Sequence, residues 1–142
     1  MKTVAATILI ALAAPACVSA AASESPRLRL TVETGAATGA VMVSLFDSET
    51  AYAGGPPVRR ARIDVAGGER STVFADLPAG TYAIKAFHDV NGDGRLNSNP
   101  FGIPIEPVAF SNNAPAKMGP AAWESARLTV QGPTVQTIRF AK

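Results

Sequence analysis

The stretch from His88 to Asn99, His-Asp-Val-Asn-Gly-Asp-Gly-Arg-Leu-Asn-Ser-Asn, sets short oxygen-bearing side chains two residues apart around two glycines. That is donor chemistry for a hard cation. A calcium loop of the EF-hand type gathers roughly six to eight oxygens at about 2.3–2.6 Å, from positions 1, 3, 5, 7 through its carbonyl, and 9, with glycine at 6 for the turn. Asp89, Asn91, Asp93, the Arg95 carbonyl and Asn97 stand at those positions, and Gly94 stands at the sixth. The twelfth, where a carboxylate normally closes the shell with two oxygens, is Pro100. The expected ion is therefore calcium, weakly held, with Glu106 as a candidate for the missing carboxylate. The same residues also suit a turn that needs no metal, in which Asp and Asn oxygens accept local backbone N–H groups and the glycines take positive φ.

Two further constellations carry chemistry. His88 is the only histidine and adjoins Asp89. A hydrolase would use His88, Asp89, Asp93 and Glu106 as its acid–base cluster, or bring a nucleophile such as Ser111 to the imidazole. The simpler role for His88 is to tie the loop to the scaffold by hydrogen bonds. A single histidine excludes a multi-histidine zinc site. Between Phe101 and Asn113, the apolar Phe101, Ile103, Pro104, Ile105 and Phe110 are mixed with Glu106, Ser111, Asn112 and Asn113. This composition suits either a ligand groove or a loop that covers an open end of the fold. Trp123 is expected to anchor a loop or the core rather than to stack on a sugar.

The elements that must position these residues are strands. Period-two alternation recurs, and helical spacing is scarce. Leu28, Leu30 and Val32 alternate with polar neighbours, and Gly35 to Gly39 then leads into Ala40–Phe46, which predicts a first hairpin. Residues 47–57 read as a loop, and Val58 to Val65 as a strand with Ala61, Ile63 and Val65 facing in. Ser71 to Asp76 and Thr81 to His88 follow as strands, the second the strongest in the chain. Residues 99–124 form a long connection, with one helical turn expected at Ala121 to Ser125. Arg127 to Gln131 and Val135 to Phe140 predict a closing hairpin around Gly132-Pro133. About seven short strands at this spacing favour an all-β, antiparallel two-sheet sandwich of transthyretin/immunoglobulin-like type.

Residues 1–20 have the pattern of a secretory signal peptide: Lys2, an apolar run from Val4 to Ala14, and Val18-Ser19-Ala20 before the cut. The run is too short to span a bilayer, which takes about 20 apolar residues. The expected mature protein, residues 21–142, is one β-sandwich domain, exported to the periplasm or beyond and not membrane-embedded. Lipidation at Cys17 is disfavoured because Ala14-Pro15-Ala16 lacks the usual leucine. Cys17 is the only cysteine, so the mature chain has neither a disulfide nor a thiolate. Loss of Lys2 leaves twelve basic against eleven acidic residues. Nucleic acid is not an expected partner, since Arg59, Arg60 and Arg62 are too few for a basic stripe, lack aromatics for stacking and fit the wet face of a strand.

Phe74-Ala75-Asp76-Leu77-Pro78-Ala79-Gly80-Thr81-Tyr82 resembles the hairpin signature of transthyretin-like and carboxypeptidase-regulatory-like sandwiches. The ordered set Val43 to Phe46, Phe74 to Tyr82, His88-Asp89 with Asn91-Gly92, Gly102-Ile103-Pro104 with Glu106, and Phe110 to Asn113 resembles the uncharacterised bacterial family numbered 2141 among domains of unknown function. The resemblance covers about Leu28 to Phe140 and implies a secreted β-sandwich without assigning it a task. In that family Asp is common where this chain has Asn97. The functional expectation is an exported non-enzymatic module, calcium-binding or structural, whose loops from His88 to Asn113 present a surface to an envelope protein or small ligand. The alternatives are an envelope hydrolase and a ligand-free structural domain.

Overall fold

The computed structural model describes residues 24–140, so the expected leader at 1–20, with Cys17, lies outside the described residues. Where side chains alternate between apolar and polar, the backbone is extended: β1 (Arg27–Glu33), β2 (Ala40–Phe46), β3 (Arg59–Ile63), β4 (Ser71–Phe74), β5 (Gly80–Asp89), β6 (Val108–Phe110), β7 (Leu128–Val130) and β8 (Pro133–Arg139). Two short helices, α1 (Glu49–Gly54) and α2 (Trp123–Ala126), and a 3-10 turn at Ser111–Asn113 complete the order. Helix α1 lies inside the segment read as plain loop. Ser48 caps it, its Oγ accepting the Ala51 N–H.

The strands form two sheets, one ordered β4-β1-β8 and one β3-β2-β5-β6, with β7 also pairing β5. The fold is an all-β sandwich. Leu28, Leu30 and Val32 of β1 meet Val41, Val43 and Leu45 of β2 in the main core, which also takes in Ile63, Ile84, Val130 and Ile138.

The pairing differs from the sequence expectation in three places. β1 and β2 are not a hairpin, because β1 pairs β4 and β8 while β2 pairs β3 and β5. The C-terminal hairpin is likewise replaced: β7 lies antiparallel to β5 and β8 parallel to β1, the one parallel pair among the described residues. The Phe74-to-Tyr82 turn carries the chain from one sheet to the other, since β4 and β5 belong to different sheets. In each case the apolar alternation is as expected but the hydrogen-bonded neighbour is not. Alternation reports which face is dry, and two strands facing each other across a core satisfy it as well as two strands side by side.

The outer face of the five-stranded sheet is covered over part of its area. Phe46, Tyr52, Ala83, Phe110, Ala121 and Ala126 form a second cluster beneath α1 and α2, with Trp123 packed against it. Tyr52 meets Phe46 and Trp123 edge-on, each at 5.6 Å between centroids, and its hydroxyl donates to the Ala121 carbonyl at 2.8 Å. Burial pushes that hydroxyl up to about 12. This second cover explains why β5 does not alternate cleanly: at this end it is dry on both faces.

Candidate functional site

The long β5 strand delivers His88 and Asp89 to the rim of the sandwich, where residues 90–107 form an insertion before β6. Asp89 lies opposite Ala40, and its carbonyl approaches Gly39 so closely that a Cβ there would sit 1.9 Å from it. Gly39 also has φ +67, so glycine is required on both counts. The Asp89 side chain, 2% exposed, turns into the loop. Its Oδ1 accepts the N–H groups of Gly92 at 2.8 Å and Asp93 at 3.1 Å, and its Oδ2 accepts Gly94 N–H at 2.8 Å. Gly92 and Gly94 hold φ +75 and +76, the left-handed turn that aims those N–H groups inward.

Glu106 reaches the same loop from the far end of the insertion. Its Oε1 accepts Val90 N–H and its Oε2 accepts Asn97 N–H, each at 3.0 Å. Both buried carboxylates therefore accept hydrogen bonds from backbone donors, the arrangement that makes burial of such groups tolerable. Glu106 does approach the loop as proposed from sequence, with its oxygens closing it through hydrogen bonds.

Asp93, Asn91 and Asn97 converge at the exposed tip. Asp93 Oδ2 accepts from Asn97 Nδ2 at 2.9 Å and from Asn91 Nδ2 at 3.4 Å, Asn91 Nδ2 also donates to Asn97 Oδ1 at 3.1 Å, and Asp93 Oδ1 accepts Arg95 N–H at 2.8 Å. The Asn97 amide, then the Arg95 N–H, hold the Asp93 carboxyl below its ordinary range. Asp89, Asn91, Asp93 and Asn97 thus form one network, to which Arg95 is joined through its main chain. Oxygens from Asn91, Asp93 and Asn97 are the ones at the surface that a cation could use. Among the described residues no three His, Cys, Asp or Glu side chains group closely enough to hold a metal.

His88 and Ser111, the catalytic pair considered from sequence, are engaged separately. His88 Nε2 lies 2.7 Å from the Thr38 carbonyl, and because a carbonyl only accepts, that nitrogen carries the proton. The imidazole ring packs edge-on against Phe140 at 6.1 Å. Ser111 is fully buried, accepting Ile84 N–H at 2.9 Å and donating to the Ala126 carbonyl.

The asparagines that follow Ser111 are fasteners. Asn112 Nδ2 donates to the carbonyls of Ser125 and Arg127, while Asn113 donates to Thr137 O and accepts Arg139 N–H at 2.8 Å. Asn113 thereby occupies the free edge of β8 like one residue of a further strand. Both take positive φ, which asparagine tolerates.

The second half of the insertion has the opposite character. Asn99 Oδ1 accepts the N–H groups of Phe101 and Ile103 at 2.9 and 3.0 Å, and Asn99 N–H donates to the Ile103 carbonyl at 2.9 Å. This knot holds Phe101 89%, Ile103 60% and Ile105 66% exposed. These side chains do not bury themselves as a cover would. Instead Phe101 and Ile103, with Met118, border a groove of about 910 Å³ over the uncovered part of the five-stranded sheet, floored by Phe87 and Val108. Sequence reasoning missed this floor. Its signal was Lys85, a lysine set among the apolar residues of the strongest strand.

Fold and site together define a small all-β sandwich with one elaborated rim loop, organised by buried carboxylates and bordering an apolar groove. Residues 32–138 match the model of a family described as "Uncharacterized protein conserved in bacteria (DUF2141)", and the chain belongs to that family. No curated protein and no solved structure matches it.

Proposed function

We propose that this chain is an exported, non-enzymatic binding module that takes an apolar ligand in the groove between the rim insertion and the five-stranded sheet. One observation carries the reading: a loop knotted on the Asn99 side chain holds Phe101 and Ile103 out in water beside an apolar floor. Exposed apolar patches of this kind mark interaction sites, and small-molecule sites are apolar clefts with few polar groups. The hydrolase alternative is weakened because His88 and Ser111 are engaged apart from each other and the Asp89 and Glu106 oxygens are occupied by backbone N–H groups. The leader pattern at residues 1–20 supports export. Titration of the purified domain with a neutral solvatochromic dye tests the reading. Saturable one-to-one binding is expected, and fluorescence that rises without saturation would overturn it.

A second role for the same rim is weak calcium capture, favoured by the convergence of Asp93, Asn91 and Asn97 at the surface. Ligands that bind the native state raise its melting temperature. A higher midpoint in calcium than in chelator is expected, and identical midpoints at millimolar calcium would remove the ion from the account.

A further inference from the structure

Two cross-strand rows pave the outer face of the five-stranded sheet beside the insertion. Lys85 stands between Ser44 and Phe110, and Phe87 stands between Met42 and Val108. Along β5 the same face runs from Ala83, sealed under the helices, through half-buried Lys85 to Phe87 on the groove floor. Lys85 is thus at the inner end of the groove, roughly 6.6–6.8 Å along the strand from where the apolar floor begins.

The Lys85 ammonium is incompletely partnered. It donates to the Tyr52 carbonyl and lies 4.3 Å from the centroid of the Tyr52 ring and 5.3 Å from that of Phe46. An ammonium has three donors, and a carbonyl uses one. Among the described residues no carboxylate forms an ion pair with it. Burial lowers its affinity for the proton by stripping water from the charged form. Of the other groove residues only Glu106 is ionisable, and its two oxygens are taken by Val90 and Asn97 N–H.

Taking the groove as the binding site argued above, we propose that its ligand is an aliphatic carboxylate, with the anionic head at Lys85 and Ser44 and the alkyl chain over Phe87 and Val108 under Phe101 and Ile103. One ammonium beside one hydroxyl matches a monoanion. A phosphate head carries close to two charges and is normally met by a cluster of cations or N–H groups, which this end of the groove lacks. The cavity lies within the range of small-molecule sites, about 300–1,000 Å³.

Calorimetric titration of the intact domain with decanoate, decanol, decyl phosphate and decyltrimethylammonium tests the assignment. Decanoate should bind roughly tenfold or more tightly than decanol, the scale of a hydrogen bond to a charged group. Lys85→Met should abolish that preference, and Lys85→Arg should keep it. Should Lys85→Met fail to fold because the Tyr52 carbonyl loses its donor, the four-ligand comparison on the unaltered protein still decides. Equal affinity for decanoate and decanol, or a preference for the phosphate or the ammonium, would overturn the head-group assignment while leaving the groove as a binding site. Binding of none of these would overturn both.

Discussion

The two halves of the rim insertion orient their side chains in opposite senses. From Asp89 to Asn97 the loop is gathered inward on buried carboxylates, with Asn91 and Asp93 left at the surface: Asp89, assisted by Glu106, holds the backbone N–H groups of Val90, Gly92, Asp93, Gly94 and Asn97. From Asn99 to Ile105 the backbone is knotted on one amide oxygen and the apolar side chains turn outward. This inverts the ordinary rule that charges face water and large apolar groups avoid it. Backbone N–H groups in an irregular loop must find acceptors, and when buried carboxylates supply them the loop needs no apolar core of its own. Its phenylalanine and isoleucines are then free to be displayed.

The difference can be broken most directly at Asp89. Asp89→Ala leaves the Gly92 and Gly94 N–H groups without their acceptor and the Asp93 N–H with Asn91 Oδ1 alone, and a loss of roughly 3–5 kcal/mol is expected in denaturant unfolding. A loss under about 1 kcal/mol would mean that the carboxylate does not organise the loop. At the other extreme, the paired change Phe101→Ser and Ile103→Ser removes apolar side chains that pack against little. Stability should shift by no more than about 0.5 kcal/mol, while dye binding in the groove falls. A drop beyond about 1 kcal/mol would show these residues to be part of the packed fold and erase the contrast between the halves.

Much of this arrangement was legible before the structure, and what was not has physical reasons. The Asp/Asn/Gly spacing of residues 89–97 announces a loop built around side-chain oxygens, and that is what forms. Whether those oxygens face a cation or backbone donors depends on chain direction, which spacing does not encode. The alternation of Leu28, Leu30 and Val32 with polar residues marked a strand with one dry face, but the identity of its neighbours came from contacts distant in sequence. The groove was hidden because its floor comes from β5 and β6 and its border from loops, and no local pattern links Lys85 to Phe101. The Phe-Ser-Asn-Asn block, notable in sequence as a candidate polar lining, proves to be a set of clasps. The side chains of Ser111, Asn112 and Asn113 bond backbone groups of β5, β8 and the α2 region, while Phe110 packs into the second apolar cluster.

The parallel alignment of β1 with β8 has a kinetic corollary. Arg27 sits beside Pro133 and Glu33 beside Arg139, so the middle strand of the smaller sheet stays half-paired until the last strand has been synthesised and brought back across almost the full length of the domain. Contacts this distant in sequence slow folding. Until they close, the exposed flank of β1 is open to whatever other strand reaches it first, which gives a nascent chain of this kind a reason to be kept unfolded until it is complete.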